Sequence, residues 1–389
     1  MNDRRSWPDE VIVVEPAKTR YSHAIFNASL LDALRFAFPS TPIRFHCHES
    51  HLPWVKQSLE TSESGLQSIS FVVESLPILP AHKWYRLRNE WLRYRSLYRR
   101  LGGRRSLLVF ASISPSGLFA LKLPIPLMHR HRTLLVAHCL QALGQPKTRL
   151  RDFPFDLARI LRMPLRKNMK LVALGDSILS EARAIVGCEF SCDSVDIPRL
   201  RPDRPLVEKR QQPTFAFVGG TAKGFDLFEA ISREFHRHPS GPRFLLAGYQ
   251  NSDLPEDIRQ FVIGVSREPI PQEELEQRIQ QSHYVIWTAE PEVYRLTASA
   301  TFADAMCFGV PVIAIRNEFM EHYFKLDGDA GLLCSDGDGM SLRVRQILND
   351  WPACGIVEHS AAAKLLFQRF NPRSTGAGIR GALGEASLG

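Results

Sequence analysis

Hydrophobic positions in this chain fall into two kinds of run. Short, nearly unbroken apolar stretches are bounded by Gly, Pro and polar residues. Between them lie longer stretches whose apolar residues recur every three or four positions. The first kind predicts strands buried on both faces, and the second predicts helices packed along one face. Glu10 to Pro16 (EVIVVEP) is such a strand, followed by the polar loop Ala17 to Ser22. A helix is expected from about His23 to Phe38, with Ala24, Leu30, Leu31, Leu34 and Phe38 on its apolar face and Pro39 and Pro42 ending it. Further strands are expected at Pro42 to His48, Gln67 to Glu74, Ser106 to Ser112, Arg132 to Cys139 and Lys170 to Leu174. Helices are expected over 81 to 101, Asp152 to Met163 and onward from Ser177. Strands that alternate with helices predict a Rossmann-like parallel sheet.

The pattern lapses over 198 to 213, which is Pro-rich, charged and without apolar period, so it reads as a linker. A second series then runs through Thr214 to Gly219, Arg243 to Gly248, Gln260 to Val265 and Gly331 to Cys334. Residues 284 to 315 organise this half. Tyr284 to Ala289 is a strand, Glu290 to Leu296 a charged loop broken by Pro291, Thr297 to Phe308 a helix stopped by Gly309, and Val310 to Ile315 a buried strand with Pro311 near its start. In such a βαβ unit the loop and helix N-terminus lie at the carboxyl end of the first strand. Open α/β sheets bind ligands there, and free N–H groups there suit a phosphate. Helices are expected over Met340 to Asp350 and from Val357 to about Phe370, with a Gly- and Ala-rich end that frays. Three parts follow: residues 1–200, residues 213–355, and a tail 356–389 that could cross back to the first part.

The segment ADAMCFGVPVIAI, with the loop before it, resembles the donor-binding segment of GT-B glycosyltransferases of the retaining, GT4-like kind. The resemblance extends upstream through FAFVGGTAKGFDLF, RFLLAG and the Glu-rich helix near 273, and covers roughly residues 213 to 350. It implies a GT-B fold, an α/β architecture of two Rossmann-like domains facing across a cleft. It also implies transfer of a sugar from a nucleotide-diphosphate sugar to an acceptor hydroxyl, with retained configuration and no metal.

The same resemblance assigns roles to particular residues. Gly219, Gly220 and Lys223 form the diphosphate loop, with Lys223 matching the family's Lys and Gly220 standing where the family has Arg. Asp304 matches the second of two acidic residues, whereas Leu296 stands where the first would be. His138, at the end of an N-terminal strand, matches a His that contacts the donor sugar, and His23 lies in a loop that faces the acceptor. Spacing adds Arg295, either a diphosphate ligand standing in for the lost charge or an exposed loop residue, and the helix N-terminus at Thr297 to Ser299. His138, Lys223 and Asp304 are the expected catalytic group. Two departures, at Leu296 and Gly220, leave a catalytically degenerate GT-B scaffold as an alternative, beside a GT-B nucleotide-sugar epimerase.

Composition narrows this reading. A chain of 389 residues, 44% hydrophobic and 23% charged, is long enough for two folded domains. It contains no apolar run of the roughly eighteen residues a spanning helix needs, and its polar opening is not expected to be a signal peptide. Seven scattered cysteines match no zinc or redox spacing and point to a reduced, cytoplasmic setting. His46, His48 and His51 invite a metal reading, but no further ligand at a recognisable spacing joins them, so no metal is expected. The formal net charge is +8. Residues 83 to 105 carry nine Lys or Arg against Glu90 alone, interleaved with Trp84, Tyr85, Trp91, Tyr94 and Tyr98. Residues 129 to 170 carry ten more against two acids. Such a surface suits an anionic membrane face or a lipid-phosphate acceptor. No nucleic-acid motif accompanies it, and no nucleic-acid partner is expected. The expected setting is therefore cytoplasmic, peripheral on the inner membrane face, in polysaccharide or glycolipid assembly.

Overall fold

A computed structural model describes residues 8–60, 65–66, 68–74, 82–102, 104–145, 147, 149–203, 207–222 and 224–384. The chain divides into two compact units. The first runs to Pro202 and takes in Leu296–Ala298 and the chain from Asn371; the second comprises Asp203–Arg295 and Ser299–Phe370.

The first unit holds a parallel sheet of seven strands: β1 (Glu10–Val14), β2 (Ile43–His48), β3 (Ile69–Glu74), β4 (Ser106–Phe110), β5 (Arg132–Val136), β6 (Met169–Leu174) and β7 (Asp193–Val195). Their order is β3-β2-β1-β4-β5-β6-β7. The second unit holds six: β8 (Thr214–Gly220), β9 (Arg243–Tyr249), β10 (Val262–Ile263), β11 (Tyr284–Trp287), β12 (Val312–Ile315) and β13 (Gly331–Cys334), in the order β10-β9-β8-β11-β12-β13. Every pairing is parallel. Central strands such as EVIVV and SLLVF are buried at every position, which is why they lack polar alternation. In the second unit Phe215, Phe244 and Tyr284 stack across three neighbouring strands, with centroids 5.5 and 6.2 Å apart, and Phe225 and Phe228 of the helix Phe225–Phe235 close over them.

Local chemistry moved several boundaries. β12 starts at Val312 because Pro311 has no N–H to donate; its carbonyl still accepts from Val285 N at 2.9 Å. The charged loop after β11 contains one helical turn, Pro291–Tyr294, with Pro at the first position, where a missing N–H costs nothing. The following helix begins at Ala300, not Thr297, because Ser299 has extended backbone and its hydroxyl accepts from Phe302 N. Arg132 to Cys139 forms a strand only to Val136; His138–Gly144 winds as a 3-10 turn. The strand expected over 260–265 shrinks to Val262–Ile263. The expected helix Asp152 to Met163 is a 3-10 stretch Leu150–Phe155 followed by the helix Leu157–Arg162. Helices Leu52–Glu60, Pro115–Lys122 and Glu318–Asp327 were not anticipated from the sequence pattern.

The tail is helical to Ala382 where fraying was expected, and residues 385–389 lie outside the described residues. The helix Ile356–Phe370 belongs to the second unit, and a further helix, Pro372–Ala382, belongs to the first. Its small residues are what let it pack. A Cβ at Gly376 would stand 2.4 Å from the carbonyl of Ala33 in the helix Ala24–Ala37, and one at Gly378 would meet Val195 at 3.1 Å. Gly381 of the same helix faces open space. Gly376→Ala should therefore destabilise the fold by about 1–3 kcal/mol through overpacking. Gly381→Ala should stabilise it by up to about 1 kcal/mol through helix propensity. Denaturant unfolding of the two variants checks the opposite signs.

Candidate functional site

In doubly wound sheets, ligands bind outside the carboxyl ends of the strands where the strand order reverses. That point lies between β8 and β11 in the second unit and between β1 and β4 in the first. The candidate residues are found at both points, and each unit is described separately.

At the end of β8 the backbone makes three close approaches that only glycine allows. Gly219 has φ 109°, a conformation that side-chain-bearing residues rarely adopt, and a Cβ on Gly248 of β9 would lie 1.9 Å from the Gly219 carbonyl. A Cβ on Gly224, where the helix Phe225–Phe235 begins, would lie 2.4 Å from the carbonyl of Thr288 at the end of β11. The Thr288 hydroxyl in turn donates to the Gly224 carbonyl. Gly220 has the Asn251 carboxamide where its side chain would be, 2.6 Å from an ideal Cβ. Asn251 Oδ1 accepts from Ala222 N at 2.7 Å, and Thr221 Oγ1 accepts from the N–H groups of Asn251 and Ser252. The loop is thus clamped, and at the position that carries Arg in the resembling family the Asn251 carboxamide occupies the side-chain space. Lys223, the expected diphosphate ligand, lies outside the described residues.

Next to this loop, Thr301 Oγ1 lies 3.4 Å from the Val218 carbonyl and ties the helix Ala300–Cys307 to the end of β8. Ser299, expected as a donor ligand, is fully buried; its hydroxyl caps that helix and accepts from Trp287 Nε1 at 3.2 Å. It shapes the helix N-terminus instead of presenting a free hydroxyl. Thr297 is half-buried, in the bend before the cap. Asp304 is 8% exposed on the inner part of the helix. Leu296, where the family has an acid, is buried as well. Arg295 is exposed, with Nη1 3.5 Å from Glu292 Oε2. Tyr294 packs on Trp287 at 4.7 Å, which anchors the turn that carries Arg295.

The first unit brings the two expected histidines together. The rings of His23 and His138 lie 4.8 Å apart, and Phe26 meets His138 edge-on at 4.6 Å. Burial, helped by Lys18 and His51, lowers the His23 pKa to about 3. Burial, then the neighbouring His23 and Lys18, holds His138 well below the usual range. Both rings are neutral near pH 7. His23 Nδ1 and His138 Nε2 have no hydrogen-bond partner among the described residues.

Sequence reasoning missed what holds this pair in place. Glu15, fully buried at the end of β1, accepts from Ala17 N at 3.0 Å, Lys18 N at 3.2 Å, Ser112 Oγ at 2.5 Å and Asn27 Nδ2 at 3.3 Å. Asn27 Nδ2 also meets His51 Nε2 at 2.8 Å, while His51 Nδ1 donates to the Arg20 carbonyl at 2.7 Å. Because Asn27 donates, His51 must accept at Nε2 and stay neutral. The network fixes the loop from Glu15 to His23, including the left-handed Arg20 (φ 50°) and His23 (φ 61°). The one sequence signal was a carboxylate at the end of an apolar strand. His46 and His48 do not join His51. His46 Nδ1 meets Glu74 Oε1 at 2.8 Å, and His48 Nδ1 meets Ser50 Oγ at 2.8 Å. All seven cysteines are free, and no helix among the described residues is long and apolar enough to cross a membrane.

No protein-family model matches the chain, and no curated protein matches it by sequence. Solved structures match throughout its length. A glycosyltransferase from Rickettsia africae is 10% identical, with 97% of this chain and 100% of that chain covered and a TM-score of 0.64. Sucrose-phosphate synthase from Thermosynechococcus elongatus is 14% identical, with 96% and 98% covered and a TM-score of 0.64. HepE from Anabaena, solved with UDP, is 10% identical, with 96% and 99% covered and a TM-score of 0.63.

Two predictions follow from this geometry. Gly220→Ala should cost about 1–3 kcal/mol by forcing Asn251 aside. In a Gly220→Ala, Asn251→Ala double-mutant cycle read by unfolding, much of that cost should disappear. The second concerns pH. His23 and His283, which burial and then Lys209 lower to about 4, are neutral in the folded chain but take up protons near pH 6.5 when unfolded. Stability should hold above pH 6.5 and fall from there towards pH 5, by about 1.4 kcal/mol per pH unit for each such histidine. Thermal midpoints measured at pH 7, 6 and 5 check the sign. The architecture described by these two sheets and the full-length matches is the GT-B fold.

Proposed function

We propose that this chain is a retaining glycosyltransferase that moves a sugar from a nucleotide-diphosphate sugar to an acceptor hydroxyl. The observation that carries the reading is the clamped glycine loop at the strand-order reversal of the second sheet, beside the capped N-terminus of the helix Ala300–Cys307. Backbone N–H groups brought close by glycine, and a helix N-terminus, both favour a diphosphate. Lys223 and Arg295 would add the charge that stabilises the departing diphosphate, and Asp304 would accept from the nucleotide sugar. His138, neutral and with a buried ring nitrogen that has no partner among the described residues, would hydrogen-bond the donor sugar, with the His23 ring tilted against it. HepE was solved with UDP and with UDP and glucose, which supports a nucleotide sugar as donor.

The helix Lys83–Leu101 bears on the acceptor. Tyr94 and Tyr98 are core residues, the Tyr98 hydroxyl sharing a 2.6 Å hydrogen bond with Thr133. Trp84, Tyr85 and Leu92 point outward and are 41, 52 and 40% exposed, among Arg88 and Arg99. Apolar anchors among arginines suit an anionic membrane face, so the acceptor is read as lipid-linked, in polysaccharide or glycolipid assembly at the cytoplasmic face.

Calorimetric titration with UDP, GDP, ADP and TDP tests the donor site. One nucleotide should bind with micromolar affinity, and Lys223→Ala should abolish that binding. Arg295→Ala should lower donor turnover by orders of magnitude; an unchanged rate would remove Arg295 from the site. Failure of every nucleotide to bind would favour the degenerate scaffold, in keeping with the buried Leu296.

A further inference from the structure

Of the ten cations between residues 129 and 170, Arg162, Arg166, Lys167 and Lys170 share one place. With Lys122 they line a pocket of about 400 Å³ at the amino ends of the strands, where Met169 opens β6. All strands of this sheet are parallel, so the pocket lies on the opposite edge from His23 and His138. It is a different place from the candidate site.

Five cations line it, Lys122, Arg162, Arg166, Lys167 and Lys170, against one acid, Glu189. Three are fixed by neutral acceptors. Lys122 Nζ donates to the carbonyls of Ile160, at 2.8 Å, and Met163. Arg162 Nη2 donates to the Val186 carbonyl at 2.6 Å, and Arg166 Nη2 to those of Lys122 and Leu123 at 3.1 and 3.0 Å. Carbonyls hold these groups in position without cancelling their charge, and none of the three has an acidic partner among the described residues. Glu189 is drawn to Arg183, 2.8 Å away, and Lys170 reaches Asp193 only at 3.8 Å. Arg166 Nε is a buried donor without a hydrogen-bond partner among the described residues. Such a donor calls for an acceptor. Burial also lowers the Lys122 pKa to about 8.

We propose that this pocket is a second anion site, built to take a phosphate or diphosphate group. Guanidinium forks and ammonium groups converging from several directions match an anion with several oxygens and more than one charge better than they match a single carboxylate. The volume lies in the range of small-ligand sites. The phosphate is either free or carried on a lipid, and the apolar side chains of Leu161, Met169 and Phe190 in the same wall would accommodate the first carbons of the latter.

The test titrates inorganic pyrophosphate into the full chain by calorimetry, with Lys167→Glu and Arg295→Ala alongside. Lys167 is exposed, so its replacement leaves the packed groups in place. Binding weakened at least tenfold by Lys167→Glu and unchanged by Arg295→Ala supports the site. The reverse pattern assigns the anion to the nucleotide loop and overturns it. A second arm uses co-sedimentation with phosphatidylcholine vesicles containing or lacking phosphatidic acid. Retention that requires phosphatidic acid and is lost in Lys167→Glu supports a lipid-borne phosphate. Retention indifferent to Lys167→Glu, with no pyrophosphate binding, belongs to the helix Lys83–Leu101 and overturns the proposal, as does binding in neither arm.

Discussion

The second unit depends on how closely backbone can approach backbone at the end of β8. Gly219 and Gly248 bring two strand ends nearly into contact, Gly224 rests on the Thr288 carbonyl, and Gly220 leaves room for Asn251. A side chain at Gly224 or Gly248 would run into backbone, and one at Gly220 would push Asn251 aside. The loop is therefore held beside a helix whose N-terminus is capped by Ser299, with the N–H groups of Thr221 and Ala222 already donated to Tyr249 and Asn251. Such parts suit the diphosphate of the proposed function, because partial charges fixed in space favour an anion.

The first unit meets the matching problem with a buried polar network. Glu15 gathers donors from its own loop, from Ser112 after β4 and from Asn27 on the first helix. Once satisfied, such a network is rigid, and it sets the left-handed turn that places His23 against His138. The histidines are then kept neutral by burial. Neutral rings suit hydrogen bonding to sugar hydroxyls and cost the protein stability in acid.

The excess positive charge also has a division of labour. Outward arginines and aromatics on the helix Lys83–Leu101 form an open face, whereas Lys122, Arg162 and Arg166 are pinned by carbonyls around a pocket. Composition alone gives these two clusters the same description. Only the hydrogen bonds distinguish a solvated face from a held one.

Much of the fold could be read from the chain because parallel strands buried on both faces leave continuous apolar runs, and amphipathic helices leave a three-to-four period. β13 was placed at Gly331–Cys334, and the first helix to within one residue at each end. The glycines at 219, 220 and 224 were also legible, since strand, glycine loop and helix are contiguous. What the chain could not show was set by contacts between distant residues. The Pro372–Ala382 helix reads as a fraying tail until Gly376 is seen against Ala33. Gly220 reads as a lost arginine until Asn251 fills its space. Ser299 gives no sign in the sequence that its hydroxyl caps the helix Ala300–Cys307. Glu15, Asn27, His51 and Ser112 come from four separate segments, and no local pattern joins them. The sequence by itself determined which segments are strand or helix and where a backbone could come close. Tertiary structure decided which polar groups are already satisfied, and so which remain to meet a ligand.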